Sequence, residues 1–100
     1  NLQAAVGTAQ LKNIEKLIRI KRENAKRYNE RLGGIRELQL PVEKRWAKNV
    51  YWMYGIVLDE KTGYNAETFA DKLAQKGIQT RPFFYPLHLQ PVWNKLNIKI

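Results

Sequence analysis

The sequence has 100 residues, 44% hydrophobic and 27% charged, which allows one small domain with a modest core. It has no cysteine and a single histidine, which excludes a disulfide framework and a thiolate metal site, and the missing cysteines fit a cytoplasmic chain. The net charge of +9 raises nucleic acid, anionic membranes and phosphorylated ligands as partners, but no apolar run approaches the ~20 residues of a membrane span.

The chain opens with a predicted short helix. Asn1 is a good N-cap whose side-chain oxygen could accept the Ala4 backbone N–H, and helix formers follow over Leu2 to Leu11. Gly7 with Thr8 is a plausible weak point before the next helix, because glycine lowers helix stability.

A longer amphipathic helix is predicted next. Apolar residues three and four apart run from Leu11 to Leu32, and Gly33-Gly34 should end the helix as a left-handed C-cap. We interpret residues 1–33 as a helical linker and this long helix.

Residues 12–31 carry eight lysines and arginines against three glutamates. Pairs such as Glu15 with Arg19 and Glu23 with Arg27, four residues apart, favour a solvated helix face. The alternative is a nucleic-acid-binding helix. Against it, the aromatic residues lie in or near an apolar strand and do not interleave with the charges as a stacking surface would require.

Two strands are predicted in the middle of the chain. Arg36 to Leu40 alternates and stops at Pro41. Asn49 to Leu58 is apolar on both faces, so we expect it to be covered on both sides.

The last part of the chain is predicted to hold a helix, a strand and a final short helix. Asn65 could cap a helix that ends at Gly77, with Phe69, Ala70 and Leu73 on its apolar side. Ile78 to Arg81 reads as a strand closed by Pro82, and the final helix is expected around Val92 to Leu96.

This order of elements predicts an α+β fold in which residues 36–100 form a small antiparallel sheet with packed helices. One face of the sheet needs more cover than these elements supply. Either a missing neighbouring domain or a homodimer interface would account for the uncovered face. A third interpretation is a small interaction module that uses the uncovered face.

No residue pattern predicts catalysis within this chain. The carboxylates fall on turns or polar helix faces, Gly33-Gly34 follows a helix instead of opening one, and there is no serine nucleophile. The single histidine lacks partners for a metal site, so we expect no metal.

The segment 80–91 combines a fixed cation, aromatic rings and an imidazole with three prolines. Arg81 could bind a phosphate through two hydrogen bonds while the rings of Phe84 and Tyr85 cover a sugar or base, with His88 close by. The alternative is a loop that packs its aromatic side chains into the core, with His88 merely hydrogen-bonded.

Four segments carry a family resemblance: NLQAAVGTAQL, KRENAKRYNERL, KNVYWMYGIVL and GIQTRPFFYPLHLQPVW. In this order and spacing they resemble the C-terminal part of the sugar aminotransferases called the DegT family, from Asn1 to about Leu96. YWMYGIVL and TRPFFYPLHLQP look most like its perosamine synthase branch, which aminates a GDP-linked 4-keto-6-deoxy sugar.

The resemblance implies the C-terminal small domain of a fold type I, aspartate aminotransferase-like enzyme that uses pyridoxal phosphate. Such enzymes are usually cytoplasmic homodimers that transfer an amino group from glutamate to a nucleotide-linked keto sugar resembling GDP-4-keto-6-deoxymannose. An N-terminal large domain would carry the Schiff-base lysine and most coenzyme ligands. Residues 1–100 are therefore expected to be incomplete at both ends, to bind no coenzyme and to be inactive alone.

The same resemblance implies four substrate-binding residues, taken as a group that lines the sugar-nucleotide cleft: Arg81, Phe84, Tyr85 and His88. It implies no catalytic, coenzyme-binding or metal-binding residue in this chain, and no nucleic-acid or membrane partner.

Overall fold

A computed structural model of the chain describes residues 1–92. Within them lie three α-helices, two short 3₁₀ turns and one two-stranded sheet. The chain divides into two compact units, one over Asn1–Gly63 and a second that begins at Tyr64. None of the helices in the described residues is both long enough and apolar enough to cross a membrane.

Two helices open the first unit, α1 over Leu2–Leu11 and α2 over Ile14–Leu32. Asn1 caps α1 as predicted, but its side chain accepts the N–H of Gln3, at 3.0 Å, and not that of Ala4. Either donor is one of the unpaired N–H groups of the first helical turn, so the cap serves the same purpose.

The break between the two helices lies at Lys12 and Asn13, so the prediction of a break at Gly7 and Thr8 is wrong. Helix α1 runs through Gly7, because one internal glycine costs only about 1 kcal/mol. Asn13 has φ −108° and ψ 2°, outside the helical region, and asparagine favours the position before a helix.

Helix α2 ends at Gly33 without the predicted left-handed cap. Gly33 has φ −61°, and its N–H donates to the carbonyl of Asn29 at 2.9 Å. Glycine is needed here for space, since a Cβ atom at Gly33 would lie 2.7 Å from the Asn29 carbonyl oxygen. The glycines with positive φ in the described residues are Gly63 and Gly77.

The sheet pairs β1, Leu38–Gln39, with β2, Val57–Leu58. The strands are antiparallel, with Leu38 opposite Leu58, which confirms the predicted strand direction. The predicted strand from Asn49 to Leu58 is wrong except at its last two residues. Tyr51 has φ 49°, and its N–H donates to the Asn49 side chain at 2.7 Å. This local hydrogen bond replaces a strand ladder.

The second unit contains α3, Ala66–Gln75, whose ends match the prediction. The Asn65 side chain accepts the N–H of Thr68 at 2.8 Å. At the other end, Gly77 has φ 78° and donates to the Ala74 carbonyl, and the N–H of Ile78 donates to the Leu73 carbonyl, each at 2.9 Å. This is the Schellman arrangement, which satisfies the last helical carbonyls.

Two other predictions for the second unit concern a strand and a final helix. The strand predicted over Ile78 to Arg81 is wrong, because these residues pair with no strand in the described part of the chain. Pro82 follows directly and has no N–H to donate to a ladder. The final helix, expected around Val92 to Leu96, lies outside the described residues apart from Val92.

The described part of the chain has a very small core. Its buried apolar residues are Ala25 on α2, 2% exposed, and Tyr51, 9% exposed. Large apolar side chains remain exposed in both helices and in the loops, among them Leu2, Val6, Leu11, Trp46 and Trp52. Among the described residues, exposed large apolar side chains therefore far outnumber the buried ones.

This surface predicts that the isolated chain self-associates as its concentration rises, because association removes apolar area from water. Sedimentation velocity over a range of concentrations should show the average mass increasing, with little effect of salt. A single monomeric species at all concentrations would contradict the prediction.

Candidate binding surfaces

The four predicted substrate-binding residues all lie on an exposed segment of the second unit. Phe84 is 78% exposed and Tyr85 is 74% exposed, and Arg81 and His88 are also exposed. Among the described residues, these aromatic rings therefore do not pack into a core. The rings are accessible to a ligand.

Local hydrogen bonds shape the end of this segment. After Pro86 the chain makes a 3₁₀ turn, Leu87–Leu89, in which Leu89 donates its N–H to the Pro86 carbonyl at 2.9 Å. The side-chain amide of Gln90 donates to the Tyr85 carbonyl at 3.1 Å. These bonds fix the backbone from Tyr85 to Gln90, which includes His88.

The structure does not bring the four side chains into one closed site. Within residues 1–92, none of the side chains of Arg81, Phe84, Tyr85 and His88 forms a hydrogen bond, an ion pair or a ring contact. The prediction that they bind one ligand as a group stays a prediction.

Sequence reasoning missed an ion pair in the first unit. The guanidinium of Arg22, on α2, donates to both carboxylate oxygens of Glu43, with N···O distances of 2.6 Å and 3.0 Å. It also donates to the backbone carbonyl of Asn49. In the sequence, Arg22 is one basic residue among many and Glu43 one polar loop residue, so nothing in the pattern paired them.

The same carboxylate closes the loop that follows it. Glu43 Oε2 accepts the backbone N–H of Asn49 at 2.8 Å, so both ends of residues 43–49 meet at Arg22. We call these residues the 43–49 turn. Its two ends are joined to each other and to helix α2.

These hydrogen bonds change the acidity of both partners. The hydrogen bonds from Arg22, and then the Asn49 N–H, lower the pKa of Glu43 from 4.5 to about 2. The hydrogen bond to Glu43 raises the pKa of Arg22 above its ordinary value. The pair is therefore charged throughout the physiological pH range.

Three tyrosines pack beside this ion pair. The rings of Tyr28 and Tyr54 stack with centroids 4.9 Å apart, and the Tyr54 hydroxyl donates to the Asn29 side chain at 2.5 Å. The Arg22 guanidinium lies 5.9 Å from the centre of the Tyr51 ring. Burial raises the pKa of Tyr54. The tyrosines attach the chain before β2 to the face of α2.

Two open concavities lie in the first unit, each with a volume of about 470 Å³. One runs along α2, where Arg19, Arg22, Lys26 and Lys48 alternate with Glu15 and Glu23 around Tyr51. The other is lined only by residues 43–48 of the 43–49 turn. The second is the more basic, because its single acidic residue, Glu43, already pairs with Arg22.

The described residues do not form a metal site or a coenzyme site. Among them there is no group of three or more histidines and acidic residues that could hold a metal ion. Every described lysine is exposed, whereas a lysine that reacts with an aldehyde must be partly desolvated or held beside another cation. We therefore assign pyridoxal phosphate to no described lysine and derive no step through it.

The low pKa of Glu43 predicts an acid-dependent loosening of the 43–49 turn. Because the pKa is lowered on folding, the stabilisation is complete above about pH 4.5 and is lost as the pH falls through about 2. The amide NMR signal of Asn49, which donates to Glu43, should therefore titrate near pH 2.

Glu43→Gln should abolish this titration, while Glu37→Gln, in an exposed residue of the same unit, should leave it unchanged. A midpoint near the ordinary glutamate value in the unchanged chain would show that the ion pair does not persist in solution.

Comparison with known proteins identifies the family. The profile of the DegT/DnrJ/EryC1/StrS aminotransferase family matches residues 1–99. A GDP-perosamine synthase of Vibrio cholerae is 35% identical over 96 residues, which cover 96% of this chain and 26% of the relative. The GDP-perosamine synthase of Escherichia coli O157:H7 is 35% identical over 95 residues, 95% of this chain and 25% of the relative.

A Bacillus subtilis protein provisionally named a pyridoxal phosphate-dependent aminotransferase, EpsN, is 29% identical over 94 residues, 94% of this chain and 24% of that protein. The chain thus spans about a quarter of the length of these relatives. No solved structure shows a significant match. The match along nearly the whole sequence shows that this chain belongs to the DegT/DnrJ/EryC1/StrS aminotransferase family.

Proposed function

We propose that this chain is the C-terminal small domain of a fold type I, pyridoxal phosphate-dependent sugar aminotransferase. The observation that carries the proposal is the family match over residues 1–99, together with relatives named GDP-perosamine synthase that align along nearly the whole chain. The small antiparallel sheet and the three helices of the described residues are compatible with this assignment.

The proposed reaction moves an amino group from glutamate to a nucleotide-linked 4-keto-6-deoxy sugar, with GDP as the nucleotide. The names of the two relatives at 35% identity support the choice of GDP. The coenzyme supplies the electron sink for amino transfer when it is bound. The large domain, the homodimer and the cytoplasmic location that the resemblance implies are parts of the same proposal.

Within this enzyme, the segment 80–91 would face the sugar nucleotide. Arg81 supplies a fixed positive charge for a phosphate, and the exposed rings of Phe84 and Tyr85 can cover a sugar or base. His88 lies on the hydrogen-bonded turn and can donate or accept a hydrogen bond at the same ligand. Exposure and a fixed backbone support the proposal for these residues.

The basic helix does not favour the nucleic-acid alternative. Three of its cations pair with acids: Arg22 with Glu43, Arg19 with Glu23 at 4.0 Å and Lys26 with Glu30 at 3.8 Å. A polynucleotide would have to compete with these carboxylates for the cations. The described helix resembles a solvated charged face more than a phosphate-binding surface.

The proposal predicts that residues 1–100 alone have no aminotransferase activity. Incubation with pyridoxal phosphate followed by borohydride should not fix the coenzyme stoichiometrically to one lysine, and mass spectrometry of peptides would detect such labelling. Specific labelling of one lysine, accompanied by amino transfer to a keto sugar, would show that the catalytic lysine lies within this chain.

In the full-length protein, Arg81→Ala should weaken binding of the sugar nucleotide by about 2 kcal/mol, which is typical of a lost hydrogen bond to a charged group. Isothermal titration calorimetry measures this loss. Coenzyme absorbance and the half-reaction with glutamate should persist, because Arg81 is proposed to contact only the sugar nucleotide.

Arg36→Ala is the matched control, because Arg36 is an exposed arginine of the other unit and should not affect binding. Unchanged affinity in Arg81→Ala would remove Arg81 from the substrate site. A folded Arg81→Ala protein that loses the coenzyme would show that the segment contacts the coenzyme instead.

A further inference from the structure

The 43–49 turn presents a short basic and aromatic sequence on a closed base. Glu43 and Asn49, at its ends, both bind Arg22, and Glu43 accepts the Asn49 N–H. At its tip, the N–H of Ala47 donates to the Lys44 carbonyl at 3.0 Å. The backbone of the turn is therefore fixed at both its base and its tip, which lowers the entropic cost of binding a ligand there.

The side chains at the tip have no partner among the described residues. Trp46 is 86% exposed and makes no ring contact within residues 1–92. The cations of Lys44, Arg45 and Lys48 form no ion pair within the same residues. An indole with open faces and three cations without carboxylates thus occur in five consecutive residues.

The turn also has a concave side. The concavity of about 470 Å³ is open to solvent, and its lining consists of residues 43–48. Its single carboxylate, Glu43, is neutralised by Arg22 and stays ionised because of that pairing. The charge left to attract a ligand is that of Lys44, Arg45 and Lys48.

This combination of groups fits one class of small ligand. Arg45 can bind a phosphate through two parallel hydrogen bonds, and the lysines can neutralise a second phosphate as point charges. The open face of Trp46 can stack on a heterocyclic base. We propose that the 43–49 turn binds a nucleoside diphosphate group, with the base on Trp46 and the diphosphate on the three cations.

A small ligand is favoured over a polynucleotide or a lipid surface because Trp46 and the cations beside it line one concavity formed by a single turn. Of the cations on α2, Arg19, Arg22 and Lys26 pair with acids, which makes them less available to a long polyanion.

The inference rests on the proposed function for the origin of the nucleotide, and the turn would be a nucleotide site separate from the one proposed for segment 80–91. The nucleoside diphosphate belongs either to an intact sugar nucleotide or to a free nucleotide. Calorimetry on the full-length protein with GDP, GDP-mannose, guanosine and pyrophosphate separates these sources. Similar affinities for GDP and GDP-mannose would indicate that the turn does not contact the sugar.

Trp46→Ala should weaken GDP binding about 10-fold or more, the usual effect of removing one stacking ring. It should weaken guanosine binding equally and pyrophosphate binding little. The double variant Lys44→Ala, Lys48→Ala should weaken GDP and pyrophosphate binding and flatten the salt dependence of the affinity, because fewer charges contact the phosphates.

Trp52→Ala is the matched control, because Trp52 is an exposed tryptophan of the same unit outside the turn and should leave GDP binding unchanged. In case an alanine variant fails to fold, Trp46→Phe provides a second measurement. GDP should quench tryptophan fluorescence in the unchanged protein and quench it less in this variant. The inference would be overturned if Trp46→Ala and the double variant both bound GDP as tightly as the unchanged protein. It would also be overturned if GDP quenched the fluorescence of Trp46→Phe as strongly as that of the unchanged protein.

Failure of the proposed function is distinguishable from failure of this inference. If no amino transfer to a keto sugar occurs but GDP affinity still depends on Trp46, the site at the turn stands and the reaction is wrong. If amino transfer occurs with unchanged kinetics in Trp46→Ala and GDP binds it normally, the reaction stands and the site is wrong.

Discussion

The interaction on which the first unit depends is the bond between Arg22 and Glu43. The two residues are 21 positions apart, and the same guanidinium also reaches the carbonyl of Asn49, 27 positions away. Holding these distant segments together costs chain entropy, and a core with two buried apolar residues offers little apolar burial to offset it. Arg22 therefore fixes the position of the 43–49 turn on α2, and with it the cations and the indole at the tip. The packing of Tyr54 against α2 supports the same attachment.

The two candidate binding surfaces use similar side chains but are held in different ways. In the first unit, the 43–49 turn is closed by charged hydrogen bonds to Arg22. In the second, Pro82, Pro86 and Pro91 restrict the backbone directly, and Gln90 adds one side-chain bond. The hydrogen bonds that close the 43–49 turn are sensitive to protonation of the Glu43 carboxylate, whereas the restriction by prolines is not. The surfaces should therefore respond differently to acid, even though both present cations beside aromatic rings.

Family membership and local structure answer different questions about this chain. The match over residues 1–99 establishes the family, but the relatives are about four times longer, and the described lysines are all exposed. What the described residues offer is binding: fixed turns, exposed rings and cations without partners. Under the proposed function, this domain would contribute recognition of the substrate, and the chemistry of amino transfer would belong to the coenzyme and the residues that hold it.

The sequence by itself determined several features that depend on neighbouring residues. The caps at Asn1 and Asn65 and the helix end at Gly77 each involve hydrogen bonds over two to five residues, so residue type and spacing were enough to predict the two caps and the end of α3. The antiparallel strand direction was also predicted, whereas the sequence left open whether the segment with Arg81 is exposed or packs into a core. The tertiary structure decided the rest. The long apolar run before Val57 reads as a strand by its composition, yet it turns at Tyr51 because its polar groups bind side chains and helix α2 instead of a neighbouring strand. No spacing rule pairs Arg22 with Glu43, because only the folded path of the chain brings the two residues together.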